Sequence, residues 1–134
     1  MSTNRTEHYQ LHAWEPGDTF LREEFNENFR LLDRGLGEKP ELVTGVTTGD
    51  GTRDRFISLG FTPKAVLLFS EDGHSNSGYN SYGGLALPGF PVKFKAGDPL
   101  TIGEGGFYIS VGESGSSRTY SNKLDTVCYY LAVR

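Results

Sequence analysis

The chain reads as a mostly β protein: a compact β-sandwich or small barrel of about seven or eight strands, with one N-terminal amphipathic helix. Three observations predict this. Gly occurs 18 times in 134 residues, beside seven Tyr and nine Phe but a single Met, a composition of turns and aromatic-faced strands rather than of a helical bundle. One stretch near the N-terminus carries apolar residues at helical spacing. From residue 42 onward, short apolar runs alternate with Gly, Pro, Asn and Asp punctuation.

A length of 134 residues suits one globular unit plus an appendage. The expected division is an extended tail and docking segment over residues 1–17, a helix over 18–37 and a β-sandwich domain over 42–134. The balance of 13 Lys+Arg against 17 Asp+Glu gives a net charge of −4, without a basic run, which argues against a nucleic-acid partner. No stretch approaches the roughly 20 apolar residues of a membrane span, and the first twenty residues lack the apolar core of a signal peptide. The expectation is a protein made in a cytoplasm and kept there until released, with no membrane insertion. Cys128 stands alone inside VCYYLAV, where a thiol packs as a small core hydrophobe.

The helix is expected from Asp18 to Leu36. Asp18 or Thr19 would cap its first N–H groups, Glu23 and Glu24 suit the positive end of its dipole, and Gly35 and Gly37 would stop it before Pro40. Leu21, Phe25, Phe29, Leu32 and Leu36 form an apolar stripe. Either the β domain of the same chain or identical helices of neighbouring chains would bury it. The stripe spans too few heptads to establish a coiled coil, but self-association through these five residues is the favoured reading.

The β region opens with LVTGVTT, a Gly49-Asp50-Gly51 turn and TRDRFISLGF, read as a first hairpin. Ala65 to Phe69 is an unbroken apolar run, the pattern of a central strand buried on both faces. Further strands are expected at GLAL, VKFK, LTI, FYISVG and TVCYYLAVR. Both alternating sets of the last are largely apolar, so it too reads as central. Residues 71–84, EDGHSNSGYNSYGG, have no periodicity and read as a long surface loop.

No catalytic template fits. Ser70 beside Glu71, Asp72 and His74 lacks a strand-turn-helix elbow. His8 and His12 have i, i+4 spacing without an HExxH pattern, so a metal pair there is disfavoured and no metal site or cofactor is expected. Glu104, Glu113, Asp98 and Asp125 sit in turns, where acidic residues are common for turn reasons. The positive signal is His74, Asn76, Tyr79, Asn80 and Tyr82 in one loop, flat aromatic faces with adaptable hydrogen bonding, as in sugar-binding loops.

Two segments carry a resemblance. HAWEPGDTFLREEFNENFRLLD, with Trp14-Glu15-Pro16, Phe25 to Phe29 and Leu32-Asp33, resembles the N-terminal motif of phage and prophage tail proteins. SLGFTPKAVLLFSEDG, followed by GGLALPGFPV, LTIGEGGFYISVG and YYLAVR, is similar to the C-terminal β domains of prophage tail-fibre-like or baseplate-associated proteins. The likeness covers nearly the whole chain from residue 10, although the long shaft of an extended fibre is missing. It implies a non-enzymatic virion protein, a homotrimer in which Trp14 docks onto other tail or baseplate proteins. The outward loops would then serve as a receptor-binding or adhesin module for host cell-surface carbohydrate. The alternative is a purely structural virion component: a decoration protein, a tail cap or a head fibre.

Overall fold

Thirteen strands and one helix follow the chain in a computed structural model that describes all residues, 1–134. They fall into two units, Met1–Pro40 and Glu41–Arg134.

In the first unit, β1 (Asn4–Arg5) and β2 (His12–Ala13) pair antiparallel, and α1 runs from Arg22 to Gly37. The first 17 residues are therefore a hairpin and a turn, not an extended tail. The helix also starts four residues later than its sequence signals suggest. Leu21 occupies the N-cap in an extended conformation without a side-chain cap. Asp18 is engaged elsewhere: its carboxylate accepts from the Thr3 and Glu15 N–H groups, both at 2.8 Å, and from the Thr3 hydroxyl. These bonds, the Glu15 amide foremost, hold its pKa below the usual carboxylate range. At the far end Gly35 does not stop the helix. It leaves room for the Tyr9 ring, which a Cβ at this position would meet at 2.4 Å.

The second unit contains three sheets. The largest orders its strands β3 (Leu42–Thr48), β13 (Val127–Val133), β5 (Ala65–Ser70) and β8 (Gly84–Ala86). A second orders β4 (Arg55–Ser58), β10 (Gly106–Ile109) and β9 (Leu100–Gly103). The third orders β11 (Gly112–Ser114), β12 (Ser117–Thr119), β7 (Asn80–Ser81) and β6 (Asn76–Ser77), with β12 and β7 parallel. One core joins the first two sheets: Val66, Leu68, Ala86, Cys128 and Ala132 meet Leu100, Phe107 and Ile109. The mostly β class is confirmed, and no sheet closes into a barrel.

Differences from the local pattern have physical causes. β3 and β4 do not form a hairpin; β3 pairs with β13 and β4 with β10. The Gly49-Asp50-Gly51 segment is instead held by distant chain, since Gly49 N–H donates to Thr126 and Gly51 N–H to Asn122. Asn122, fully buried, donates through Nδ2 to Asp50 and to the Thr52 carbonyl, both at 2.7 Å. VKFK makes no strand, only a single bridge from Val92 to Leu100. The segment 71–84 is more ordered than a loop, because it contains β6 and β7 and joins β12 through β7.

Both strands read as central are central, β13 between β3 and β5 and β5 between β13 and β8. Neither is buried on both faces. In β5, Val66, Leu68 and Ser70 are buried whereas Ala65, Leu67 and Phe69 are only half-buried.

Candidate functional site

Helix α1 divides its surface between two tasks. One face carries Glu24, Glu27 and Asn28 toward the N-terminal hairpin. Asn28 accepts from the His12 N–H at 2.6 Å and donates to the His12 carbonyl at 3.0 Å, the pair of bonds a neighbouring strand would make. Buried Glu24 accepts from the Ser2 N–H with both oxygens, at 2.9 and 3.0 Å, and from Trp14 Nε1 at 3.2 Å. His12, also buried, places Nε2 2.8 Å from Glu27 and Nδ1 2.6 Å from the Ser2 hydroxyl. Its hydrogen bond to Glu27 is the main cause that lowers the Glu27 pKa. His8 and His12 therefore do not form a helical pair; His12 is a structural member of the hairpin, and His8 is exposed in the turn before it.

The other face is the apolar stripe. Phe25, Phe29 and Leu36 are exposed, Phe29 by 58%, while Leu21 and Leu32 are half-buried. Trp14, Phe20, Phe25 and Phe29 form a ladder of rings at successive centroid distances of 4.9, 5.3 and 4.9 Å. Trp14 is thus half-buried, clamped between the Glu24 carboxylate and Phe20, and so belongs to the ladder more than to a free docking segment.

The five residues singled out in 71–84 separate into two groups. Tyr79 stands at the β6–β7 tip, 69% exposed, on a turn whose first central residue is Gly78 at φ +63°. Asn76 is exposed on β6, and Asn80, half-buried on β7, lies opposite Ser77 and beside Arg118. Tyr82 turns inward: its ring lies 5.9 Å from that of Tyr120, and burial raises its pKa. With Ser70, Glu71, Asp72 and Asp125 it lines a small acidic cleft of about 220 Å³. His74 pairs with Asp72 at 3.0 Å, and the Ser70 hydroxyl donates to Asp72 rather than to an imidazole. The acid stands between serine and histidine, so this turn has no nucleophile–base pair. The Ser70 hydroxyl is the leading cause that lowers the Asp72 pKa.

Two surfaces escaped the sequence reading. On the three-stranded sheet, Phe56 and Tyr108 are exposed with ring centroids 4.9 Å apart. They lie over Gly106 and Gly103, where a Cβ would meet the rings at 2.9 and 2.7 Å. The larger surface is the outer face of the four-stranded sheet. Its cross-strand rows run Val46–Tyr129–Phe69, then Thr44–Leu131–Leu67–Leu85, then Leu42–Val133–Ala65. None of these side chains is charged, and an open groove of about 630 Å³ runs along the first two rows, lined by Val46, Tyr129, Phe69, Thr44, Leu131 and Leu67. The signal was present in the sequence as two strands apolar on both alternating sets.

No protein-family model matches the chain, and no curated protein or solved structure shows significant similarity to it.

Proposed function

We propose that the chain is a non-enzymatic, homo-oligomeric virion tail or appendage protein, most simply a trimer, assembled through α1 and displaying the β unit as a receptor-binding module for host surface carbohydrate. The observation that carries the reading is the division of labour on α1. Glu24, Glu27 and Asn28 hold the chain's own hairpin, while Phe25, Phe29 and Leu36 remain exposed. Burying a large apolar side chain contributes about 1.5–3 kcal/mol, so an open aromatic stripe favours association with matching stripes. The resemblance of Trp14-Glu15-Pro16 and Phe25 to Phe29 to the tail-protein motif supports the same reading. Tyr79 and Asn76, exposed at a hairpin, supply the contact chemistry, and repetition across copies would multiply a weak site.

The rival reading, a purely structural virion component, is favoured by the Tyr82–Tyr120 contact, which uses one loop aromatic for packing.

Site-specific oxidation tests the association. Cys128 is the lone cysteine and is buried, so Leu36→Cys introduces the one accessible thiol. Mild oxidation of this variant should give disulfide-linked dimers well above those of Arg30→Cys, exposed and placed off the stripe. Equal or absent cross-linking in the two would contradict the proposal.

A further inference from the structure

We propose that a polar cleft at one end of the three-stranded sheet, with the Phe56–Tyr108 pair at its edge, binds a neutral, hydroxyl-rich sugar unit. This rests on the carbohydrate reading above and gives it a second contact besides Tyr79.

The cleft lies where β4 and β9 begin and β10 ends. Its volume is about 360 Å³, within the range of small-molecule pockets, and Arg53, Asp54, Asp98, Ser110 and Glu113 line it. Such pockets are ordinarily lined by apolar side chains, so a polar lining selects a ligand that is itself polar around its rim. Charge narrows the class. Asp98 pairs with Lys93 at 2.7 Å and Glu113 with Arg118 at 3.3 Å, so with Arg53 and Asp54 the site sets three cations against three carboxylates. Such a balance offers no net charge to a metal ion or a phosphate, yet it leaves hydrogen-bonding capacity. Lys93 takes Asp98 Oδ2, Arg118 takes Glu113 Oε1 and the Ser110 hydroxyl takes Asp54 Oδ1, so each carboxylate keeps a second oxygen as an acceptor. The exposed Arg53 guanidinium supplies donors in a planar fork. Neighbouring sugar hydroxyls, each both donor and acceptor, match this set.

The rings supply the other half of sugar recognition, a flat apolar surface. The register pairs Tyr108 with Phe56 and Ile109 with Arg55, and one step further Ser110 meets Asp54, donating to its carboxylate at 3.2 Å and accepting from its N–H at 3.3 Å. Two residues along a strand return to the same face after about 7 Å, which sets the rings beside the cleft. Each ring lies over the glycine row of Gly103 and Gly106, and Phe56 and Tyr108 are 39% and 42% exposed, so each ring keeps an open side. The remaining residues of this face, Thr101 opposite Tyr108 and Ser58 opposite Gly106, are uncharged. A sugar ring carries C–H groups on its broad faces and hydroxyls around its edge. The C–H groups can meet the electron-rich faces of Phe56 and Tyr108 while the hydroxyls reach the cleft.

The walls are fixed by buried side chains. Thr119, fully buried, donates to the Gly97 carbonyl at 2.8 Å, and the Ser121 hydroxyl accepts from the Ser110 N–H at 2.8 Å and donates to the Ser110 carbonyl at 2.9 Å. A site held in this way orders little on binding, which lowers the cost of taking up a ligand.

The test is binding of the full chain to an array of purified bacterial surface polysaccharides, neutral and uronic-acid-bearing, followed by a binding curve on the polymer bound best. Wild type, Arg53→Gln, Tyr108→Thr and Tyr79→Ala are compared, with circular dichroism verifying the fold of each. Arg53 is exposed, so Arg53→Gln keeps the test decisive if Tyr108→Thr does not fold. A neutral polymer should bind best, and Arg53→Gln and Tyr108→Thr should each weaken its binding about tenfold. Unchanged binding in either folded variant overturns the cleft, even where Tyr79→Ala weakens binding and the carbohydrate reading stands. Strongest binding to an acidic polymer overturns the neutral class of ligand. A wild type that binds none of the polymers overturns both the cleft and the carbohydrate reading.

Discussion

Asn28 grips His12 by its backbone, accepting from the N–H at 2.6 Å and donating to the carbonyl at 3.0 Å. One helical side chain thus does the work of a third strand for a hairpin whose own strands are two residues each. Asn28→Ala should destabilise the first unit by about 1–3 kcal/mol, because both His12 groups lose their partner. Asn28→Asp, which keeps the acceptor and loses the donor, should fall between. Trp14 is the sole tryptophan and sits beside Glu24, so its emission should shift red at lower denaturant in Asn28→Ala. An unshifted transition would remove this role from Asn28.

Asp50 gives the second unit an acid-sensitive tether. Bonds from the Thr52 hydroxyl and N–H and from Asn122 lower its pKa from 3.8 to about 2. A depressed carboxylate contributes stability that is complete above its unfolded pKa and lost as pH falls through the folded one. The contribution should therefore be intact above pH 4 and disappear toward pH 2. Asp50→Asn should show a lower melting temperature at neutral pH and a flatter decline between pH 4 and 2. Parallel declines for both proteins would locate the acid response elsewhere.

Cys128 is fully buried on β13, and desolvation raises its pKa to about 11. Since the thiolate is the reactive form, a thiol reagent at pH 8 should leave the native protein unlabelled and react promptly in denaturant. The labelling rate in dilute denaturant then reports opening of β13. Prompt labelling of the native protein would contradict its central position.

Tyr79 is the loop aromatic most open to a ligand. Tyr79→Ala should leave the melting temperature within a degree or two and weaken binding to purified bacterial surface polysaccharide about tenfold, the loss expected for one aromatic contact of about 1.4 kcal/mol. Unchanged binding in the variant would move the contact to another surface, with the exposed Phe56–Tyr108 pair next to be substituted.

What the sequence disclosed follows from the range of the interactions involved. β5 and β13 were legible because unbroken apolar runs need no distant information, and the stripe on α1 was legible from its spacing. Neither hydrogen-bond registers nor partners can be read this way. The apparent β3–β4 hairpin failed because Asn122, about 70 residues away, captures the Asp50 turn. The N-terminal hairpin was hidden for a related reason: it is held by Glu24, Asn28 and His12, polar residues that an apolar-periodicity reading assigns to solvent. Of the five loop residues, Tyr82 packs on Tyr120, a contact hidden from the local sequence because its partner lies in a separate segment.

The central claim, that the open stripe of α1 joins copies of the chain, is tested most directly by the solution mass of the full-length protein. Light scattering should give a multiple of the 14.8 kDa chain, three-fold in the simplest case, and a substantial fall in mass for Phe25→Ser/Phe29→Ser with the β fold intact. A wild type of 14.8 kDa at every concentration, or a variant of undiminished mass, would contradict it.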